Sequence, residues 1–360
     1  MPELYLQSSP HIGTPVRTPL LMGHVLIALT PVTVFGVVLY GLPALGVIAV
    51  SIAAAAGGEA LFRGVTRQEN RTRDLSAVVT GLLLALVLPP ATPLWMTCLG
   101  ALFAVTAAKE FFGGLGANVF NPALSGRAFL LMSFPASITR WTMPAGTGAA
   151  PGVLEAADAL SAASAGETVL SLDAISGATP LGILKMGGTA ADLGRQFAAS
   201  GLAGSASYPS ILKTLFIGNH AGTIGESSIL LIVAGCFYLL ITKVIDWRAP
   251  AAMTASAFVL SLILGMDPVI AILGGGLVFG AVFMATDYTT APLTAAGKII
   301  FGAGAGIITI LIRKWGSYPE GVTYGILIMN AVTPFLNRLI QKKYGYVKSP
   351  RSSMPLGAVK

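Results

Sequence analysis

Long uninterrupted apolar segments are the feature that most constrains the fold of this chain. Segments such as 228–242 and 252–264 contain no charged residue, which is typical of helices that cross a bilayer and not of the short alternating strands of a membrane barrel. Only 10% of the 360 residues are charged, whereas soluble proteins contain roughly 25%. The sequence therefore predicts an all-α polytopic membrane protein.

The apolar segments divide into two groups of five around a long break. Because one span needs about 20 apolar residues, we expect about ten transmembrane helices. The predicted spans are 20–40, 42–63, 77–88, 94–112 and 122–134, then 227–244, 251–264, 268–285, 297–313 and 321–340. The run 79–90 followed by Lys109-Glu110 resembles 258–268 followed by Thr286-Asp287. This recurrence predicts two pseudo-repeated halves with broken helices.

Basic residues indicate the orientation of the chain. Four arginines, Arg63, Arg67, Arg71 and Arg73, lie at the end of the second predicted span and directly after it, and six basic residues crowd the end of the sequence. The positive-inside rule places both stretches in the cytoplasm, so this pattern explains the net charge of +7 without a nucleic-acid partner. The predicted divisions are a cytoplasmic segment 1–19, a first half 20–134, an external loop 135–226, a second half 227–340 and a cytoplasmic basic tail 341–360.

Several kinds of site are not predicted. Cys98 and Cys236 cannot supply the four thiolates of an iron–sulfur cluster. His24 has no second ligand at suitable spacing, so we interpret it as a helix-interface residue and predict no metal site. The sequence contains no glycine-rich strand–helix unit for NAD, and its polar start lacks the pattern of a secretory signal peptide.

A polar segment, 173–180, interrupts the membrane-like composition within the external loop. Gly177 and Ala178 remove side-chain bulk beside Thr179, and Pro180 stops a helix from continuing through it. We expect the Thr179 hydroxyl to be exposed to a large reagent. The alternative interpretation is a simple surface turn.

The break after the fourth predicted span is rich in glycine and asparagine. Gly113 and Gly114 permit close backbone approach, while Asn118 and Asn121 offer amide donors and acceptors. Pro122 can begin the next helix. A ligand pocket and an interhelical turn with capping asparagines both fit this pattern.

Ionisable residues near predicted breaks are candidates for an ion pathway. The second break, 285–294, places Asp287 among hydroxyl residues, and Lys109-Glu110 ends the fourth predicted span. For Asp267, which precedes Pro268, helix capping is favoured; for Asp287, capping and ion binding both remain open.

Motifs along nearly the whole chain, in order, resemble those of the NqrB/RnfD family. They are Ser9-Pro10-His11, Val79-Thr80-Gly81 to Pro89-Pro90, 109–127, Ser176-Gly177-Ala178-Thr179, 218–226, 287–292 and Tyr318-Pro319-Glu320-Gly321-Val322. This resemblance implies a large membrane subunit of an ion-translocating redox complex. The intact Asp-x-x-Ser-Gly-Ala-Thr motif implies that a flavin transferase joins FMN to Thr179 through a phosphodiester bond. Asp173, Ser176, Gly177 and Ala178 would present that hydroxyl, and a noncovalent riboflavin is implied near Asn118 and Asn121.

The compact start, with a span soon after Ser9-Pro10-His11, is more similar to the RnfD branch than to the quinone-reducing NqrB branch. That branch implies electron exchange between ferredoxin and NAD, coupled to Na+ or H+ movement, at a bacterial inner membrane. Partners would include iron–sulfur subunits and a second subunit with covalent FMN, and this chain alone would contain no catalytic residue. The alternatives are the quinone-reducing NqrB protein of a Na+-pumping NADH:quinone reductase and, in another class, a solute channel or transporter without redox function.

Overall fold

A computed structural model describes residues 18–68, 74–142, 179–185, 189–199, 207–218, 220–316 and 321–339. The predicted tail 341–360 and nearly all of segment 1–19 lie outside these residues. The described part is helical and contains no strand. The first half contains α1 (Thr18–Tyr40), α2 (Leu42–Val65), α3 (Ser76–Leu86), α4 (Leu94–Thr106), a 3-10 helix (Glu110–Phe112) and α5 (Pro122–Ser133).

Between the halves lie four helices and a 3-10 turn. They are α6 (Pro135–Ile138), α7 (Pro180–Lys185), α8 (Ala190–Ala199), α9 (Tyr208–Ile217) and the 3-10 helix Ile224–Glu226. The second half contains α10 (Ile229–Ile241), α11 (Arg248–Ile263), α12 (Pro268–Leu273), α13 (Leu277–Phe279), a π-helix (Gly280–Met284), α14 (Ala295–Trp315) and α15 (Val322–Leu339).

Length and composition make this an all-α, multi-pass membrane protein. Four described helical segments can cross a bilayer, namely Thr18–Tyr40, Leu42–Val65, Leu94–Phe112 and Ala295–Trp315. Three shorter apolar helices accompany them: Ser76–Leu86, Ile229–Ile241 and Arg248–Ile263. The total of ten spans stays a prediction.

Glycines allow the helices to pack closely. A β-carbon added at Gly81 of α3 would lie 2.8 Å from the carbonyl oxygen of Ser51 in α2. A β-carbon at Gly302 of α14 would collide with the carbonyl oxygen of Ala249 in α11. Small residues at such crossings let helix backbones approach, which stabilises association in lipid.

The segment predicted as one span, 268–285, is broken near its middle. Gly275 and Gly276 have φ angles of 67° and 63°, in the left-handed region that favours glycine. The guanidinium of Arg313 donates to the carbonyl oxygens of Ala271, Gly274 and Gly275 at the break. A donor from another helix replaces the hydrogen bonds that these carbonyl groups lose at the break, so irregular backbone can occur within a bundle of membrane helices.

Residues 258–263 form the last part of α11, a helix of 16 residues, whereas α3 has 11 residues and is almost entirely buried. The two pseudo-repeated halves stay a prediction. The external loop predicted at 135–226 stays a prediction. Its last part packs against the helices of the first half, where Ile224 N–H donates to the Leu88 carbonyl at 3.2 Å and Tyr40 donates to the His220 carbonyl at 3.0 Å.

Candidate functional site

A cavity of about 330 Å³ lies where the two halves meet. Its volume falls within the range of about 300–1,000 Å³ common for small-molecule sites. Apolar side chains from α1, α3, α10 and the π-helix form most of its wall. The polar lining residues are Thr18, Ser76, Thr80, Lys109, Asn118, Asn121, Thr286, Asp287, Tyr288 and Thr289. The cavity therefore offers an apolar slot with polar groups from both halves.

Asn118 has its amide nitrogen engaged and its amide oxygen free. Its Nδ2 donates to the Phe120 carbonyl at 3.1 Å and to Thr289 Oγ1 at 2.9 Å. Its Oδ1 is buried and accepts no hydrogen bond within the described part of the chain. Because a buried acceptor without a donor is costly, this atom is suited to a ligand that brings an N–H group into the cavity.

Asn121 lines the same cavity and also caps a helix. Its Oδ1 accepts from Leu124 N at 3.2 Å, directly before Pro122 begins α5. Gly113 and Gly114 are not among the lining residues; they turn the chain with φ angles of 109° and 88°. A β-carbon at Gly114 would lie 2.6 Å from Arg63 Nη2. The turn at Gly113 and Gly114 thus lies directly against a cluster of ion pairs beside the cavity.

That cluster, here called the buried ion cluster, consists of Glu59, Arg63, Lys109 and Glu110. Lys109 Nζ lies 2.5 Å from Glu59 Oε2, and Arg63 Nε lies 3.1 Å from Glu110 Oε2. All four side chains are almost completely buried. Two cations balance two carboxylates, so Glu110 lies in a neutralised structural cluster. Lys109 also donates to Ser76 Oγ at 2.6 Å, and both residues reach the cavity wall.

Asp287 is half-buried and lies between two cavities. Its Oδ2 accepts from Thr289 Oγ1 at 3.2 Å and from Thr290 Oγ1 at 3.0 Å. Both partners are uncharged hydroxyl groups. Asp287 lines the central cavity and a second cavity of about 510 Å³ at the other side of segment 286–288. Asp267, by contrast, accepts from Val269 N at 3.0 Å and Ile270 N at 3.1 Å, which confirms the predicted cap of α12.

Thr179 is buried, with only 8% of its surface exposed, so the expectation of an exposed hydroxyl is wrong. Its Oγ1 accepts from Gly182 N at 3.1 Å and caps α7. The next residues pack α7 against the helix break, where Leu181 lies beside Gly274 and Gly275. The other predicted residues of this motif, Asp173, Ser176, Gly177 and Ala178, lie outside the described residues.

A second buried charged group was missed by sequence reasoning. Glu226 accepts from the backbone N–H groups of Gly275 and Gly276 and interacts with the guanidinium groups of Arg127 and Arg313. A signal was present at Arg127, the one charged residue of α5, because an ionisable residue within an apolar helix of a membrane protein is a candidate for a function. Arg313, which precedes Lys314 in the last turn of α14, gave no such signal. His24 Nδ1, 2.8 Å from the Tyr238 hydroxyl, joins α1 to α10 as predicted.

The fold and the cavity define a class: an α-helical, multi-pass membrane protein with a ligand-sized site between two helical halves. The chain belongs to the NQR2, RnfD, RnfE family, whose model matches residues 5–345. The family predicted from the sequence motifs is therefore confirmed.

Relatives of this chain carry names that specify a complex. The chain is 40% identical over 348 residues, 94% of this chain and 96% of the relative, to the D-type subunit of the proton-translocating ferredoxin:NAD(+) oxidoreductase complex of Clostridium ljungdahlii. It is 37% identical over 349 residues, 96% of each chain, to the D-type subunit of the Na(+)-translocating ferredoxin:NAD(+) oxidoreductase complex of Acetobacterium woodii. It is also 38% identical over 350 residues, 94% of this chain and 95% of the relative, to the D-type subunit of the ion-translocating oxidoreductase complex of Stutzerimonas stutzeri.

Proposed function

We propose that this chain is the RnfD-type membrane subunit of an ion-translocating ferredoxin:NAD+ oxidoreductase. The observation that carries the proposal is the near full-length similarity, at 37–40% identity, to the corresponding subunits of two such complexes. The chain would pass electrons between partner subunits and would not be catalytic alone. One of these relatives is named for proton and the other for Na+ translocation, so the proposal covers either ion.

The central cavity is the proposed site of a noncovalent flavin, riboflavin. An apolar slot suits a flat ring system, and the free Asn118 Oδ1 suits the ring's imide N–H. The flavin would supply one-electron redox chemistry, whereas the protein would supply position and electrostatics. Asn118 and the ammonium of Lys109 are the polar groups best placed to orient it.

Thr179 is the proposed attachment point for covalent FMN. Its hydroxyl would attack the pyrophosphate of FAD; the new Oγ–phosphorus bond would form as AMP leaves, and the hydroxyl proton would pass to a base of the separate flavin transferase. In the hydrogen bond that caps α7, Thr179 Oγ1 acts only as an acceptor. An ester oxygen can also accept, so attachment of FMN is compatible with the cap. Because Thr179 is buried, the transferase would need the start of α7 to open. Asp173, Ser176, Gly177 and Ala178 would present the hydroxyl.

The proposed topology has both termini in the cytoplasm of a bacterial cell and the flavin-bearing segment outside the inner membrane. The basic residues near α2 and at the end of the chain support it. Segments 20–134 and 227–340 would form the two membrane halves. Partners would be iron–sulfur subunits and a second subunit carrying covalent FMN. Asp287, on the wall of two cavities, is the proposed ion-pathway carboxylate.

A fluorescence experiment tests the covalent flavin. The complex, produced with its flavin transferase, is separated by denaturing electrophoresis and viewed under ultraviolet light. We expect a fluorescent band that Thr179→Ala abolishes. Thr189→Ala is a matched control, because Thr189 Oγ1 accepts from Asp192 N at 3.3 Å in the first turn of α8, and its band should stay fluorescent.

Two outcomes would contradict the proposal. A dark wild-type band would favour the channel or transporter alternative, which predicts no flavin. Quinone reduction by the purified complex, in place of ferredoxin:NAD+ exchange, would favour the NqrB alternative.

A further inference from the structure

The second cavity, which we call the basic cavity, has no role in the proposed electron path. It lies between the end of α10, the start of α11, segment 285–293 and the first turn of α14, with a volume of about 510 Å³. By the proposed topology α10 ends at the cytoplasmic face, so the cavity opens at that membrane interface. Its charged lining residues are Lys243, Asp246, Arg248, Asp287 and Lys298.

The outer part of the basic cavity has an excess of positive charge. Asp246 Oδ2 accepts from Arg248 Nη1 at 2.9 Å and from Lys298 Nζ at 3.0 Å. One carboxylate thus faces three cations there, while Asp287 accepts from Thr289 and Thr290 at the inner wall. The exposed Lys243 side chain is farther than 4.0 Å from the acidic groups in the described part of the chain. A phosphate group is the common biological anion that matches such a site.

The backbone conformation of Lys243 is unusual. Its φ angle is 56°, in the left-handed region. It follows the last turn of α10, and Val244 N donates to the Leu239 carbonyl at 2.9 Å across it. Glycine is the residue that normally ends a helix in this way, because a side chain is strained there. Lys243 therefore occupies a position where glycine would be less strained, and a glycine substitution there removes the charge without straining the backbone.

Exposed apolar residues border the basic cavity. The exposed fractions of Trp247 and Leu293 are 61% and 77%, and both line the cavity. Tryptophan at a membrane interface lies at headgroup level. We propose that the basic cavity binds an anionic phospholipid of the cytoplasmic leaflet. Its phosphate contacts Lys243, Arg248 and Lys298, while its acyl chains lie against the apolar border. A soluble phosphate compound would leave that border uncovered, so the lipid is the better match.

The assembled complex in nanodiscs tests this proposal, which rests on the proposed topology. The thermal midpoint is followed as phosphatidylglycerol replaces phosphatidylcholine, which gives an apparent affinity for the anionic lipid. One basic residue near an anionic headgroup changes binding by about fivefold. We expect Lys243→Gln and Lys243→Gly to weaken the apparent affinity by about that factor and Lys243→Arg to retain it. Lys213→Gln, at an exposed position on α9, is the control and should behave as wild type.

The glycine variant separates binding from folding. Glycine is favoured at this backbone conformation, so Lys243→Gly in pure phosphatidylcholine should melt no lower than wild type. Equal lipid affinities in wild type and both charge-removing variants would overturn the proposal. It would also fail if inorganic phosphate alone reproduced the shift, which would indicate a soluble ligand. Loss of a partner subunit from Lys243→Gln on gel filtration, with lipid affinity unchanged, would indicate a protein contact instead. Flavin fluorescence at Thr179 is independent of all these results.

Discussion

Asn118 in the first half donates a hydrogen bond of 2.9 Å to Thr289 in the second half. Thr289 in turn donates to Asp287 at 3.2 Å. One hydroxyl group therefore connects the residue with a free acceptor in the central cavity to the candidate ion-pathway carboxylate. If a flavin binds to Asn118, its position is therefore linked to the hydrogen bonding of Asp287 through the contact between the two halves.

We predict that Asn118→Leu lowers the noncovalent flavin content of the complex without affecting the covalent flavin. The substitution removes Oδ1, the buried acceptor that has no partner in the described part of the chain. Riboflavin is extracted with acid and quantified by chromatography, and band fluorescence reports FMN at Thr179. Unchanged riboflavin stoichiometry would show that the cavity is not the flavin site.

We predict that Asn121→Ala also lowers the noncovalent flavin content while Thr179 stays labelled. The substitution has two effects: it removes a polar group from the cavity wall, and it removes the cap of α5, which costs about 1 kcal/mol. Asn121→Ser keeps a neutral capping oxygen, so its thermal midpoint should lie close to that of wild type. Flavin lost in both variants would assign Asn121 a direct contact, whereas flavin lost only with alanine would assign it to support of the helix.

We predict that Asp287→Asn weakens ion-coupled electron transfer while leaving covalent FMN in place. The amide retains acceptor geometry for Thr289 and Thr290 but loses the charge that would attract a cation. Ion uptake into vesicles during electron transfer is the measurement. Asp267→Asn is the matched control, because asparagine caps α12 as well as aspartate does. Normal ion uptake in Asp287→Asn would show that Asp287 stabilises the turn through its hydrogen bonds and does not take part in ion movement.

The buried ion cluster should contribute to the stability of the fold. Lys109→Met leaves Glu59 and Glu110 facing Arg63 alone, and breaking a buried ion pair costs about 3–5 kcal/mol. Adding Glu59→Gln removes the uncompensated carboxylate, so the double variant should regain part of the loss in thermal stability. The exposed Lys314→Met should change stability by about 0.5 kcal/mol or less. A double variant no more stable than Lys109→Met would contradict this account.

Local hydropathy was sufficient to locate the long helices. The second span was predicted at 42–63 and is observed as Leu42–Val65, and the ninth was predicted at 297–313 and is observed as Ala295–Trp315. In these segments a run of apolar residues is sufficient to predict a helix, because lipid offers no hydrogen-bond partners and a helix pairs all of its backbone groups internally.

The sequence did not predict features that depend on contacts between residues far apart in the chain. The break at Gly275 depends on Arg313, which supplies donors from another helix. The insertion of Ile224 depends on the Leu88 carbonyl, and the burial of Thr179 depends on where α7 docks. The small neighbours of Thr179 indicate local accessibility only. The capping role of Asn121 was visible in the Asn-Pro pair, whereas the free acceptor of Asn118 required the position of Thr289.

Acid should weaken the contact at Asp246 in a defined direction. Burial raises the pKa of this carboxyl group, but the Arg248 backbone N–H and the ammonium of Lys298 more than offset that effect, so its pKa is lowered. A lowered pKa in the folded state stabilises the fold above the ordinary carboxyl value of about 3.9, and the stabilisation is lost as the pH falls through the folded-state pKa. We therefore expect Asp246→Asn to melt below wild type at neutral pH and the difference to disappear in strong acid. Thermal midpoints of both proteins across an acid titration test this. A difference that is independent of pH would mean that Asp246 contributes through hydrogen-bond geometry and not through its charge.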